Sequence, residues 1–134
     1  MTTTRETAEA FLTRLASGDA AQTAAIFADE VDFLCAGSKD VPWIRPRNTR
    51  EDMEDLFDSL QSAFVPEDRA AELSLFLVEG DEAVIMGHIR QQLRSNGREM
   101  AFPFALRLTV EAGKITRYHI YEDSLTVADA VRAG

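Results

Sequence analysis

Residues 70–123 read AAELSLFLVEGDEAVIMGHIRQQLRSNGREMAFPFALRLTVEAGKITRYHIYED, and through this stretch apolar residues recur at every second position. That period belongs to half-buried strands and predicts four of them, over Leu73–Val78, Ala83–Leu93, Met100–Val110 and Ile115–Tyr121. Glu79-Gly80-Asp81, Ser95-Asn96-Gly97 and Glu111-Ala112-Gly113 fall between them, and the Asn-Gly pair suits the positive φ angles of a tight hairpin. Four consecutive strands joined by short turns make an antiparallel meander.

Upstream the period changes to that of helices. Thr3 and Glu6 stand at capping-box spacing, after which Ala8, Phe11, Leu12 and Leu15 form one apolar stripe that Gly18 brings to a stop. Asp19 can cap a second helix, expected to run to about Ala28 with Ala24, Ile26 and Phe27 as its apolar content. Val31, Phe33 and Cys35 alternate as a short strand ending at Gly37. Residues 38–48 contain Pro42 and Pro46 and should be irregular, yet they carry Trp43, the only tryptophan, which is read as the roof of something. Thr49 and Asp52 open a third helix bearing Met53, Leu56, Phe57, Leu60 and Phe64, which Pro66 ends. Ser124 is expected to cap a last helix carrying Leu125, Ala128 and Val131. Helices segregated from a run of strands indicate an α+β fold, and 134 residues without a linker or repeat indicate a single domain over 1–134.

Composition narrows the partners. A hydrophobic content of 46% with 28% charged residues is that of a globular domain rather than a disordered or fibrous chain. With 14 basic against 23 acidic residues the net charge is −9, so the long-range field repels phosphate backbones and anionic lipid. No nucleic acid or membrane partner is expected. Residues 1–30 lack a basic head followed by an apolar run, and no stretch reaches membrane-spanning length. A single cysteine, Cys35, excludes an internal disulfide and fits a reducing compartment, so a cytoplasmic location is expected. Within an apolar strand Cys35 reads as a small core residue before it reads as a nucleophile.

The order of elements, together with Val41-Pro42-Trp43, Arg50-Glu51, Leu56-Phe57, Asn96-Gly97-Arg98, Phe102-Pro103-Phe104, Gly113-Lys114-Ile115 and Tyr118-His119-Ile120-Tyr121-Glu122-Asp123, resembles the nuclear transport factor 2-like superfamily. Within it the chain is similar to the ketosteroid isomerase and SnoaL-like polyketide cyclase group over nearly its whole length. The resemblance implies a cone: a strongly curved antiparallel sheet closed by the N-terminal helices around a pocket, with a convex face that commonly pairs two subunits. Thr49 stands where members often have Gly. Resembling proteins include isomerases, cyclases, dehydratases, epoxide hydrolases and noncatalytic binding modules, so the reaction has to come from the residues.

In the cyclases that the chain resembles, an Asp at the end of the last strand is the general base of a ring closure, which points to Asp123. If Asp123 faces the cavity and the strand has no bulge, period two sets Tyr121 and His119 on the same face and Glu122 on the other. A carboxylate against apolar walls is a better proton acceptor near neutral pH. The competing reading is that Asp123 caps the helix that follows it. His88 and Arg90 are candidate cross-strand partners. Trp43, Phe33, Met53, Phe57, Phe102 and Phe104 are candidate walls for a ring-bearing ligand, with a core role as the alternative for Met53 and Phe57. Asp32 and Asp40 lie in the region where ketosteroid isomerases carry their base. Helix one offers no Tyr and the third meander strand no acid, so the oxyanion hole that those enzymes make from a Tyr and a protonated Asp is missing. Two histidines without close ligand spacing carry no metal site, and no cofactor is expected.

The leading expectation is a cofactor-independent acid–base enzyme, of isomerase, cyclase or dehydratase type, acting on a small hydrophobic carbonyl compound. Its catalytic residues would be Asp123, His119 and Tyr121. The alternatives are a noncatalytic ligand-binding or dimerisation domain and a limonene-type epoxide hydrolase built on Arg90 and Asp123. Apolar residues on both faces of the strands, such as Leu106 and Leu108 beside Ala105, add the expectation of a homodimer.

Overall fold

Thr3 and Glu6 exchange hydrogen bonds as a capping box at the start of α1 (Thr4–Ser17), and Gly18 ends that helix in the left-handed region at φ 80°. The structure is a computed structural model and describes residues 2–66 and 69–133. After α1 come α2 (Ala20–Ala24), β1 (Phe27–Cys35), α3 (Arg50–Ala63), β2 (Ala70–Glu79), β3 (Glu82–Gln92), β4 (Glu99–Glu111), β5 (Lys114–Glu122) and α4 (Ser124–Arg132). The fold is α+β, and its five-stranded sheet, ordered β1-β5-β4-β3-β2, does not close into a barrel.

Strands β2 to β5 form the antiparallel meander, and β1 joins its β5 edge in parallel. This pairing changes the expected second helix. Ile26 and Phe27 leave the helix, because Ile115 donates to the Ile26 carbonyl at 3.0 Å and Phe27 pairs with Ile115 in the sheet. Strand β1 is correspondingly longer than the alternation of Val31–Cys35 suggests. Helix α3 opens with a second capping box, between Thr49 and Asp52, and stops at Ala63, before Pro66. The Asn96-Gly97 hairpin is also looser than expected. Only Gly97 takes a positive φ there, in a six-residue connection, and the Asn96 amide donates to the Ala130 carbonyl, tying α4 to the sheet.

The helices cover one face of the sheet. Phe11 of α1, Phe27 of β1, Phe57 of α3 and Tyr118 of β5 meet with ring centroids 5.8–6.3 Å apart, mostly tilted or edge-on, as the quadrupoles of aromatic rings favour. All four are buried.

Two bulges set which side chains reach this covered face. On β2 the register slips between Leu73, opposite Gly87, and Leu75, opposite Met86. The β2 backbone crosses so close to Gly87 that a Cβ there would stand 2.1 Å from the Glu72 carbonyl oxygen. On β5 the register with β4 slips between the Val110–Ile115 and Thr109–Arg117 pairs, which leaves Thr116 as an extra residue. Ile115 and Tyr118 are therefore both buried although they differ by three positions.

The close approach at Gly87 predicts that Gly87→Ala forces β2 away from β3 and lowers stability by about 1–3 kcal/mol, measured as a lower urea midpoint. An unchanged midpoint would contradict the approach described.

Candidate functional site

Past the Thr116 bulge, β5 presents Tyr118, Ile120 and Glu122 to the covered face, where a cavity of about 800 Å³ lies between the sheet and helices α1 and α3. That volume falls within the roughly 300–1,000 Å³ of small-molecule sites. Phe33 and Cys35 of β1, Phe102, Phe104 and Leu106 of β4, Ile89 and Gln91 of β3, and Ala71 and Leu73 of β2 complete the sheet side. Leu12 and Leu15 of α1 and Leu56, Phe57, Leu60 and Gln61 of α3 form the opposite wall. Phe33 stacks on Tyr118 with centroids 5.8 Å apart and planes 8° from parallel.

Trp43 closes one side, packed edge-on against Phe64 at 5.1 Å. Its loop is held by Arg47, whose buried guanidinium donates to the Trp43 carbonyl at 3.1 Å, to the Asp52 carbonyl at 2.7 Å and to the Asp55 carboxylate at 3.0 Å. Arg45 pairs with the same carboxylate. A buried charge with this many acceptors fixes a segment otherwise rich in proline.

Glu122 is the one acid among the described cavity residues. Burial pushes its pKa up from the ordinary glutamate value, and a hydrogen bond from the Cys35 thiol offsets part of the rise. The thiol sulfur stands 3.8 Å from Oε1. Burial first, and then the neighbouring carboxylate, pushes the Cys35 pKa up to about 12, so the thiol is a hydrogen-bond donor rather than a nucleophile. The Tyr118 phenol is likewise held protonated, mainly by burial and further by Cys35 and Glu122.

The residues singled out from sequence separate into two groups. Trp43, Phe33, Phe57, Phe102 and Phe104 line the cavity, whereas Met53, wholly buried, belongs to the core beside it. Asp123, Tyr121 and His119 do not reach the cavity, because the extra residue at Thr116 reverses the face that simple alternation assigns to them. Tyr121 is exposed on the convex face. His119 lies 3.0 Å from Asp32, and Asp32, also bonded to Arg117, has its pKa lowered by these two partners. Asp123 is the exposed N-cap of α4: its carboxylate accepts from the Thr126 amide at 3.1 Å and hydroxyl at 2.7 Å, bonds that lower its pKa. His88 and Arg90 are exposed on the convex side, opposite Pro103 and Ala101 of β4, and Arg90 is not brought to Asp123. Asp40 is paired with Arg132 at 2.7 Å, outside the cavity.

Sequence reasoning passed over Glu122, Tyr118 and Arg47. The missed signal for the first two was the spacing of Ile115, Tyr118 and Ile120, which no unbroken period of two can bury on one side.

The model of the SnoaL-like domain matches residues 8–118. The chain belongs to the SnoaL-like family. A nuclear transport factor 2-like protein of Burkholderia thailandensis superimposes with a TM-score of 0.83 at 20% identity, covering 97% of this chain and 98% of that one. A putative polyketide cyclase of Pseudomonas putida gives 0.74 at 13% identity over 97% and 98%. A protein of Catenulispora acidiphila with a ketosteroid isomerase-like fold, in complex with trimethylamine, gives 0.75 at 14% over 95% and 92%. At such identities the likeness is one of fold. No curated protein sequence matches the chain. Among the described residues no helix is long and apolar enough to cross a membrane.

As a cap whose folded pKa is lowered, Asp123 contributes stability that is present above its unfolded pKa of about 4 and lost as pH falls through the folded value. Asp123→Ala should therefore lower the melting temperature at pH 7, and this deficit should shrink as pH drops below about 4. A deficit independent of pH would show that the carboxylate is not the cap.

Proposed function

We propose that this SnoaL-like domain binds a small hydrophobic carbonyl compound in the cavity and carries out acid–base chemistry on it, with Glu122 in the role first sought at Asp123. The single observation behind this reading is a carboxyl whose pKa is raised by burial, set in the wall of an aromatic cavity beside the Cys35 thiol, with the Tyr118 phenol on the same face of β5; both of these groups stay protonated. Glu122, once ionised, would accept a proton from the carbon next to the carbonyl and return it to another atom of the same conjugated system. Tyr118, which keeps its proton, would donate a hydrogen bond to the carbonyl oxygen as charge builds there. This proton balance is that of an isomerase, and of the first step of a cyclase or dehydratase.

The competing reading is a noncatalytic ligand-binding domain, and it draws on Asp123 being an exposed cap. The epoxide hydrolase reading loses both of its members, because Arg90 and Asp123 lie outside the cavity.

Exchange of the α-protons of 2-tetralone in deuterated water, followed by NMR, tests the proposal. The wild type should catalyse it, Glu122→Gln should lose about a hundredfold or more, and Asp123→Asn should keep the wild-type rate. Equal rates in the wild type and Glu122→Gln would remove Glu122 from the chemistry.

A homodimer through the convex face is proposed as well. Leu34, Leu75, Leu77, Met86 and Tyr121 are 38–56% exposed, an apolar surface larger than scattered single residues. Light scattering at micromolar concentration should give twice the chain mass of 14.9 kDa and a monomer for Leu77→Glu; a wild-type monomer would contradict it.

A further inference from the structure

The cavity has two chemically different ends. Glu122 pairs across the sheet with Phe104, Phe104 with Gly87, and Gly87 with Leu73, so one row crosses from β5 to β2. Arg69 precedes Leu73 by four residues, and the Ala70–Arg90 pair sets it opposite Gln91. At roughly 3.4 Å per residue and roughly 4.8 Å per strand, Arg69 and Glu122 are roughly 20 Å apart along the sheet. Both line the cavity, and across a concave surface the straight-line separation is shorter than that path along the sheet.

Exposure runs in the same direction. Pro66 and Ala70, near Arg69 in the chain, are exposed, as is Leu73 farther along β2, whereas Phe104, paired with Glu122, and Tyr118, on the same strand as Glu122, are buried. The Arg69 end is the mouth. Arg69 is the only cation among the described lining residues, as Glu122 is the only acid; Gln91 stands opposite Arg69, and Gln61 of α3 lines the same cavity. The Arg69 amide donates to the Pro66 carbonyl at 3.3 Å.

A guanidinium with a side-chain amide on the facing strand, and a second amide in the same lining, offers donors suited to a carboxylate. Between the two ends the walls are aromatic and aliphatic. We infer that the ligand is a hydrophobic keto acid whose carbonyl lies at Glu122 and whose carboxylate, at the far end of an apolar body, is held by Arg69 with Gln61 and Gln91. This identifies the substrate class and rests on the reading of Glu122 as the carbonyl end. Arg69 is a binding residue here, remote from the proton transfer.

Isothermal titration of the whole chain with 4′-acetylbiphenyl-4-carboxylate and with 4-acetylbiphenyl, the same body without the carboxylate, tests the inference. The acid should bind the wild type about tenfold more tightly than the ketone, as a charge-assisted hydrogen-bonded pair provides, and Arg69→Gln should erase that advantage while leaving ketone affinity unchanged. Retention of the advantage in Glu122→Gln, even with its proton exchange lost, would support the inference separately from the catalytic reading. Equal affinities in the wild type, or an advantage that survives Arg69→Gln, would overturn it. Failure of both compounds to bind would remove it together with the cavity reading.

Discussion

Thr116 has no partner of its own on β4: Val110 lies opposite Ile115 and Thr109 opposite Arg117, and the residue between them is extra. A strand alternates faces with a period of two, so one added residue exchanges the faces of everything that follows. Upstream of it Ile115 packs into the core with Phe27; downstream, Tyr118 takes up the inward direction, and Ile120 and Glu122 keep it. The chemical character of the cavity follows. With Glu122 inside, the wall holds a carboxyl with a raised pKa beside a thiol and a phenol. His119 and Tyr121 turn outward, where His119 meets Asp32 and Tyr121 adds to an apolar convex surface.

Burial then acts on each of the three inward groups in the same sense, favouring the neutral form. Cys35 and Tyr118 remain protonated, and Glu122 is the carboxyl of the set, its pKa raised by burial. Arg47 and Trp43 act at one remove. The guanidinium pins the loop, and the loop supplies Trp43 as an aromatic wall of the cavity.

Most of the fold was legible because it is local. Capping boxes at Thr3 and Thr49, the stripe through Phe11 and Leu15, and the alternation along β3 and β4 each act within a few residues. What escaped is non-local. Phe27 leaves the helical pattern because β5 is available to pair with it, and the bulge at Thr116 is a property of two strands in register, marked in β5 alone only by the spacing of Ile115, Tyr118 and Ile120. Arg47 reads as a surface charge until α3 and its loop surround it. The aromatic walls were found by type, since Trp43, Phe33, Phe57, Phe102 and Phe104 are apolar on any reading. The acid was missed by one position, since Glu122 and Asp123 are adjacent carboxylates and the bulge decides which of them faces the cavity.

The claim on which the account turns is that the Glu122 carboxyl lies within the cavity in a poorly hydrated setting. Carbon-detected NMR titration of the side-chain carboxyl signals, with Glu122 assigned through Glu122→Gln, measures this directly. The account predicts a midpoint above the ordinary glutamate value of about 4.3, with Asp123 titrating below the ordinary aspartate value of about 3.9. A Glu122 midpoint at or below the ordinary value would contradict it.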